Sequence, residues 1–252
     1  MDRNGESKMS WEGSDDWYGG IVGEKGHYYH QKIIFPRLLP LLNLKKGSLL
    51  DIGCGNGVTA RNLPKSVEYL GIDASNGLIQ EATKLSPDKK FLVADATNIP
   101  TDKLFDAALF LLSLQNMEFG EKAIEEASKK LKKNGTLAIV MNHPCFRIPR
   151  QSGWGFEEAS KIQFRKMNSY MSDLEIPITT HPGKKESAQT ITYHHSLSTY
   201  SSWLLKNGLV IEKIEEWCSD KKSQGSRAKM EDRARKEIPL FLCLLAKKQC
   251  KE

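Results

Sequence analysis

A run of alternating glycines is the strongest chemical signal in this sequence. It reads Asp51-Ile-Gly53-Cys-Gly55-Asn-Gly57 and lies between an apolar, strand-like run and a helix-like segment. Glycines at alternate positions let the backbone turn tightly and let a ligand press against it, because no Cβ intrudes. A dinucleotide site would have its third glycine one residue later, where Val58 stands. The carboxylate of Asp51 would also repel a pyrophosphate, so we expect a cationic ligand with an ammonium and a sulfonium group.

Two further acids follow, each at the end of a predicted strand. Asp73 comes 22 residues after Asp51, and Asp95 ends the strand after that. A carboxylate at the tip of the second strand is placed to accept hydrogen bonds from both ribose hydroxyls. Asp95 is placed to accept one from an adenine amino group. Each acid alone is equally typical of a turn or a helix cap, so only the three together indicate a nucleoside cofactor.

Alternating strand-like and helix-like segments must position these residues. The predicted strands are near-continuous apolar runs, typical of a parallel sheet covered on both faces, at Ser48–Ile52, Tyr69–Ile72, Phe91–Ala94, Ala107–Leu112 and Leu137–Met141. The predicted helices between them are Val58–Leu63, Asn76–Leu85 and Glu121–Leu131. We expect Gly135 to cap the last helix with a positive φ. The alternation predicts an α/β, Rossmann-like, doubly wound sheet.

The alternation stops after the fifth strand, where residues 143–195 are predicted to form a lid or substrate insertion. It resumes with a helix at Ser196–Asn207 and a strand at Leu209–Trp217. A charged loop, Ser219–Lys236, leads to a final apolar run, Ile238–Ala246. The last two strands are expected to form an antiparallel pair at the sheet edge.

The predicted domain organisation has two parts. Residues 1–47 are expected to form a mobile segment with aromatic anchors and a broken helix over the cofactor, and residues 48–252 the main domain. The anchors are Trp11, Trp17 and Tyr18. The helix, Tyr28–Leu42, is expected to break because Pro36 and Pro40 each remove a backbone donor and crowd the preceding turn.

At its glycine run and its three acids, the chain resembles the class I S-adenosylmethionine-dependent methyltransferases. It is most similar to the branch that includes the ubiquinone and menaquinone biosynthesis enzymes. The resemblance covers Leu49 to Met141, and a weaker similarity follows at Tyr193–Tyr200 and Gly208–Glu216. It implies a seven-stranded sheet with an antiparallel edge strand. It also implies S-adenosylmethionine as the cofactor and S-adenosylhomocysteine as the product.

The resemblance implies roles for individual residues as well. The glycine turn with Asp51 would hold the methionine part of the cofactor, Asp73 the ribose, and Asp95 the adenine. The segment after the fourth strand would face the methyl group and the substrate. The cofactor residues implied in this way are Asp51, Gly53, Cys54, Gly55, Gly57, Asp73, Ala74, Asp95, Ala96, Leu112 and Gln115.

The acceptor is predicted to be a small molecule, anionic or aromatic, methylated at an oxygen, nitrogen or carbon atom by in-line transfer. The segment after the fourth strand lacks the Asn/Asp-Pro-Pro-Tyr/Phe pattern of enzymes that methylate planar amino nitrogens. A lone Cys145 does not supply the cysteine pair of certain RNA methyltransferases. A base is needed only if the acceptor loses a proton, and His143 is our first candidate and His195 the next. The predicted substrate residues are Tyr28, Asn116, Arg147, Arg150 and Trp154.

Composition narrows the class of protein. The five cysteines form no Cys-x-x-Cys pair, so neither a disulfide framework nor a metal site is predicted. No apolar run is long enough for a membrane span, and a cytoplasmic protein is expected. The net charge is +6, and the stretch from Asp220 to Glu252 contributes +5 of it. An RNA or protein methyltransferase that uses this basic segment is therefore the alternative. A cofactor-binding protein without catalysis and an NAD-dependent oxidoreductase are further alternatives, and the sequence indicates no oligomeric state.

Overall fold

The chain alternates strands and helices around one central sheet. A computed structural model describes residues 26–179 and 189–249. The helices are α1 (Phe35–Leu42), α2 (Val58–Asn62), α3 (Asn76–Leu85), α4 (Gly120–Lys129), α5 (Leu197–Lys206) and α6 (Ala228–Glu237). The main-sheet strands are β1 (Gly47–Ile52), β2 (Val67–Asp73), β3 (Lys90–Val93), β4 (Phe105–Leu111), β5 (Leu131–Asn142), β10 (Leu209–Trp217) and β11 (Phe241–Lys248). The predicted anchors Trp11, Trp17 and Tyr18 lie outside the described residues.

The seven main strands lie in the order β10-β11-β5-β4-β1-β2-β3. Strands β1 to β5 pair in parallel, with β1 between β2 and β4. The last two strands pair antiparallel to each other, and β11 also runs antiparallel to β5. The predicted seven-stranded, doubly wound sheet with an antiparallel pair at its edge is therefore confirmed. The reversed strand is the inner member of that pair.

Apolar side chains cover the sheet on both faces, which explains the near-continuous apolar runs in its central strands. On one face, Ile124 of α4 and Leu204 of α5 pack against the strands in a single buried cluster. On the other face, α1 and α2 contribute Leu38 and Val58 to a second cluster. Because both faces are covered, the open sites lie at the carboxyl edge of the parallel strands.

Two local predictions were wrong in detail. The helix α4 ends at Lys129 and β5 begins at Leu131, where it pairs with Phe105, so the expected glycine cap does not form. Near the start of β5, Asn134 and not Gly135 has the positive φ, at 58°. The second half of the predicted loop Ser219–Lys236 is also helical, as part of α6. This helix was missed because its sequence is mostly polar, although Met230 on one side of it is buried.

The predicted break between Tyr28 and Leu42 takes the form of a change in helix type. A π-helical turn, His30–Ile34, runs directly into α1. Pro36 is the second residue of α1 and has no N–H to donate to the carbonyls of the π-helical turn before it. Pro40 lies inside the helix, and α1 ends two residues later with Asn43 in the left-handed conformation.

The insertion between β5 and α5 folds as two hairpins, which the sequence did not predict. Strands β6 (Ser152–Glu157) and β7 (Ile162–Met167) form the first, and β8 (Leu174–Thr179) and β9 (Gln189–His194) form the second. Both are separate two-stranded sheets. Among the described residues, no helix is long and apolar enough to cross a membrane.

Candidate active site

The glycine turn between β1 and α2 is built as the sequence predicts. Gly53, Gly55 and Gly57 have φ values of 72°, 54° and 76°, in the left-handed region that glycine adopts without strain. The backbone N–H groups of Gly53 and Cys54 both donate to the carbonyl of Ile72, at 2.8 and 2.9 Å. These bonds hold the turn at the end of β2.

A side chain at either end of this turn would collide with its surroundings. A Cβ on Gly53 would lie 2.5 Å from Cβ of Ser113, which follows β4. A Cβ on Gly57 would lie 2.9 Å from the ring of Phe91 in β3. The loops after β1 and β4 therefore touch only because the first glycine has no side chain.

Asp73 ties the turn to the second strand. Its Oδ2 accepts a hydrogen bond from the N–H of Gly55 at 2.9 Å, and its Oδ1 accepts one from the N–H of Ser75 at 2.9 Å. Ser75 in turn caps α3 by accepting a bond from Leu78. Ala74, between the two, is exposed. The predicted ribose acid and the predicted methionine turn are thus parts of one constellation.

Asp51 is buried beneath the turn, with 1% of its surface exposed. The hydroxyl of Tyr69 donates to its Oδ2 at 2.7 Å. Its Oδ1 accepts no hydrogen bond from the residues that the structure describes. Burial raises the pKa of Asp51 to about 6, although the hydroxyls of Tyr69 and Thr59 oppose the shift. A carboxylate oxygen that is both buried and unpartnered is costly, and a cationic group nearby would relieve that cost.

Asp95 lies at the same edge of the sheet as the other two acids. The N–H of Ala94 donates to the carbonyl of Asp73 at 2.9 Å, which places the end of β3 beside the end of β2. The exposed Asp95 carboxylate accepts from the N–H and the hydroxyl of Thr97, both at 2.7 Å. Ala96 packs against the core cluster. Asp95 therefore shapes a turn, and its second oxygen accepts none of these bonds.

The segment after β4 is strained at its first residue. Leu112 has a φ of 56°, which costs a residue with a Cβ about 1–2 kcal/mol. Its N–H is held by the carbonyl of Val140 at 2.8 Å. The hydroxyl of Ser113 donates to the carbonyl of Ile52 at 2.6 Å, which fixes this segment to the end of β1. Strain of this kind persists only where the surroundings over-determine the backbone, and it is common at functional sites.

Gln115 and Asn116 connect this segment to β5 and to the insertion. The side-chain carbonyl of Gln115 accepts from the N–H of Asn142 at 2.9 Å. The carbonyl oxygen of Asn116 accepts from the hydroxyl of Thr192 in β9 at 3.2 Å. A small cleft opens here, lined by Gln115, Met141, Asn142, Pro144, Arg147, Ile148, Pro149, Thr192, Tyr193, His194 and Tyr200. The structure thus brings three of the predicted site residues together at one place: Gln115, Asn116 and Arg147.

Two arginines flank Trp154 beside this cleft. The guanidinium carbons of Arg147 and Arg165 each lie 5.2 Å from the centroid of the Trp154 ring. Arg165, on β7, was missed by the sequence reasoning because it belongs to no motif. Arg150, which was predicted with them, is exposed and has a φ of 58°.

His143 has the hydrogen bonds of a structural residue. Its Nδ1 accepts from the N–H of Cys145 at 3.2 Å, so its Nε2 carries the proton and donates to Glu216 at 2.8 Å. The ring is 1% exposed, and burial lowers its pKa, although Glu216 opposes the shift. Both ring nitrogens are therefore engaged, and the residue connects β5 to β10.

The other predicted substrate and base residues lie outside the lining of the cleft. His195 pairs with Asp173 at 2.7 Å, and its ring packs on Trp203. Tyr28 is 39% exposed, and the Lys221 ammonium lies 5.1 Å from the centre of its ring. Neither residue is among those that line the cleft in the described part of the chain.

Sequence reasoning also missed two residues of the turn. Asn56 is fully buried, and its amide donates to Glu81 of α3 at 3.2 Å while its backbone carbonyl accepts from Arg61 at 2.6 Å. Tyr69, on the neighbouring strand β2, donates its hydroxyl to Asp51. A tyrosine inside a buried strand is a usable signal, because its hydroxyl needs a partner there.

Comparison with known proteins gives matches over the same region. Residues 50–139 match the methyltransferase domain family. A demethylmenaquinone methyltransferase from Thermotoga maritima is 31% identical over 104 residues, which are 40% of this chain and 45% of that protein. A trans-aconitate 2-methyltransferase from Escherichia coli is 24% identical over 183 residues, 68% of this chain and 70% of that protein. The chain thus covers less than half the length of the first relative.

The solved structure of an S-adenosylmethionine-dependent methyltransferase from Mesorhizobium loti has a similar fold. It superposes with a TM-score of 0.63 and covers 82% of this chain and 96% of its own. The sequence identity is 23%, so the likeness concerns the fold. The match extends beyond residues 50–139 to most of the chain.

Proposed function

We propose that this chain transfers the methyl group of S-adenosylmethionine to a small organic acceptor. The match of residues 50–139 to the methyltransferase domain family and the fold shared with a solved S-adenosylmethionine-dependent methyltransferase support this proposal. One observation carries the proposal: Asp73 is hydrogen-bonded directly to Gly55 in a turn of three left-handed glycines. This constellation joins a carboxylate for a ribose to a surface that a ligand can approach closely.

The residues of the turn fit S-adenosylmethionine in charge and in shape. Asp51 has a buried oxygen without a hydrogen-bond donor among the described residues, which suits a ligand with a cationic methionine part. Gly53 keeps the space that a side chain would fill. We assign the methionine part to Asp51 and the glycine turn, the ribose to Asp73 and Ala74, and the adenine to Asp95 and Ala96.

Bound S-adenosylmethionine would supply an electrophilic methyl group for in-line transfer to an electron pair of the acceptor, with S-adenosylhomocysteine, which keeps the electrons of the methyl–sulfur bond, as the leaving group. The chain contributes position and exclusion of water. Leu112 is held in its strained conformation by Val140, and Gln115 is held by Asn142. These bonds fix the wall between the turn and the cleft. The engaged nitrogens of His143 favour a positioning role over that of a base.

The insertion at residues 143–195 is proposed to act as the lid over the acceptor. Its second hairpin contributes Thr192, Tyr193 and His194 to the cleft. Gly26, the first described residue, also lies beside the glycine turn, since a Cβ on it would lie 2.9 Å from Val58, the first residue of α2. Both therefore border the proposed active site.

A small acceptor is favoured over RNA or protein. The relatives named for demethylmenaquinone and trans-aconitate support this choice. The basic C-terminal segment forms α6, where Arg235 pairs with Glu231 and Asp232 of the same helix. Arg227, just before it, pairs with Glu158. These two arginines therefore have carboxylate partners, and nothing in the described part of this segment favours a nucleic-acid surface.

Calorimetry with S-adenosylhomocysteine tests the cofactor assignment. We expect Asp73→Asn to weaken binding by about tenfold to a hundredfold, because the amide loses the negative charge offered to the ribose and its NH2 group must face the N–H of Gly55 or of Ser75. Asp88→Asn removes the same charge from an exposed loop and should bind like the unmodified chain. Undiminished affinity in Asp73→Asn would refute the assignment. Transfer of label from methyl-tritiated S-adenosylmethionine to small molecules of a cell extract tests the activity itself.

A further inference from the structure

The pair of arginines around Trp154 is not explained by packing alone. No ion pair among the described residues includes Arg147 or Arg165. Each guanidinium carbon is 5.2 Å from the same ring centroid, so at most twice that distance separates the two charges. Two partly buried cations close together, with no carboxylate partner, repel each other and lose hydration.

The two arginines differ in how firmly they are held. Arg165 donates from Nε to the carbonyl of Phe146 at 2.7 Å and from a terminal nitrogen to Ser152 at 2.8 Å. Arg147 makes one long bond to the carbonyl of Pro239, at 3.4 Å, among the described residues. A guanidinium has five N–H donors, so most donors of Arg147 are available to a ligand. Burial and the charge of Arg165 lower the pKa of Arg147 to about 10.

Arg147 is also the part of this pair that reaches the cleft. It lines the cleft with Gln115 and Asn142, which lie at the ends of β4 and β5. These ends adjoin the glycine turn through the bond between Ser113 and Ile52. A ligand group at Arg147 would therefore belong to the acceptor and not to the cofactor.

We propose that Arg147, supported by Arg165 and Trp154, binds an anionic group of the methyl acceptor, either a carboxylate or a phosphate. The proposal rests on the proposed function, because it gives the substrate class of the same site. Arg147 is the group that contacts the anion. Arg165 is a positioning residue: two hydrogen bonds fix it, it packs against the Trp154 ring, and its positive charge adds to that of Arg147. An anion bound at Arg147 in the cleft would supply the negative charge that the described residues do not.

Anion binding can be measured separately from cofactor binding. We would titrate citrate and inorganic phosphate into the chain by calorimetry, each with and without S-adenosylhomocysteine, at low salt. The variants are Arg147→Met and Arg165→Met, which keep an apolar stem against Trp154. Lys166→Met is the matched control, because Lys166 is exposed on the same strand and its side chain alternates to the opposite face from Arg165.

We expect the unmodified chain and Lys166→Met to bind at least one of the two anions equally well. Arg147→Met should weaken that binding by about tenfold to a hundredfold, and Arg165→Met by a smaller factor. Tighter binding of citrate would indicate that the acceptor's anionic group is a carboxylate, and tighter binding of inorganic phosphate that it is a phosphate. All variants should bind S-adenosylhomocysteine unchanged, which also shows that they are folded.

Two outcomes would overturn the proposal: no binding of either anion to the unmodified chain, or equal weakening in Lys166→Met and Arg147→Met. Failure of the proposed function looks different, because S-adenosylhomocysteine would then not bind even to the unmodified chain. The anion titrations without that ligand would still decide the role of Arg147.

Discussion

Substituting Asp51 by Asn should separate stability from function. The folded pKa of Asp51 is about 6, raised from 3.8 by burial. Below pH 3.8 the group is neutral in both states and costs nothing. As the pH rises from 3.8 to 6, the unfolded chain ionises while the folded chain resists, so stability is lost. The difference of roughly two pKa units corresponds to a destabilisation of about 3 kcal/mol at pH 8 and about half of that at pH 5.

The Asp51→Asn variant has no such titration. Its unfolding free energy, relative to that of the unmodified chain, should therefore rise by about 1.5 kcal/mol between pH 5 and pH 8. The constant effect of the new amide cancels in this comparison, as do the titrations of all other groups. Urea unfolding at the two pH values measures it. The same variant should bind S-adenosylhomocysteine at least about tenfold more weakly, because under the proposed assignment the carboxylate near the cationic methionine part loses its charge.

Asp106→Asn is the control with the opposite sign. Hydrogen bonds from Lys132 and Ser48 lower the pKa of Asp106. The lowered pKa means that this carboxylate stabilises the fold above its unfolded pKa of 3.8 and loses that effect as the pH falls through the lower folded pKa. The cost of its removal should therefore be the same at pH 5 and pH 8 and should decrease only below about pH 4. If the stability difference for Asp51→Asn does not change with pH, or changes in the direction expected for Asp106→Asn, the reasoning about the buried charge is wrong.

Two further substitutions probe the turn and the π-helical turn near it. Gly53→Ala should destabilise the chain and abolish binding of S-adenosylhomocysteine, because the new Cβ would lie 2.5 Å from Ser113. Gly208→Ala is the control: its φ of 70° is similar but the space around it is open, so it should cost only about 1–2 kcal/mol and leave binding intact. Equal effects of the two substitutions in calorimetry and urea unfolding would contradict this reasoning. His30 is buried, and burial lowers its pKa from 6.5 to about 4. The free energy of unfolding should therefore fall by about 2 kcal/mol as the pH decreases from 8 to 5, because the unfolded chain binds the proton more readily. His30→Gln should remove that decrease in urea unfolding, and an unchanged pH dependence would count against a buried neutral histidine.

The sequence predicted the central sheet and the cofactor acids because both have short-range signals. Strands β1, β2 and β4 are buried along most of their length, so each appears as an apolar run whatever its neighbours are. The edge strand β3 is apolar as well, although Leu92 and Val93 are exposed. Asp51 and Asp73 lie near the carboxyl ends of β1 and β2, Asp95 follows β3, and parallel strands bring these ends to one edge. The direct bond from Gly55 to Asp73 follows from that geometry.

The substrate side could not be predicted in the same way. The hairpins β6–β7 and β8–β9 are short. The first is largely exposed and the second is half-buried with buried threonines, so their strands lack a continuous apolar pattern. Arg165 meets Trp154 only because the first hairpin pairs these two residues across its strands. His143 was chosen as a base from its position after β5, but its role depends on Glu216, which lies 73 residues away in the sequence. Contacts of this kind depend on tertiary structure and have no local signature.

A crystal structure of the chain with S-adenosylhomocysteine would test the central claim most directly. Our account predicts that the ribose hydroxyls bind the Asp73 carboxylate, that the amino acid part lies on the turn at Gly53 to Gly57, and that the sulfur faces the cleft at Gln115. A ligand bound elsewhere, for example in the hollow between α1 and α2 lined by Leu39, Asn43 and Leu63, would contradict it. So would a complex in which Asp73 makes no contact with the ribose.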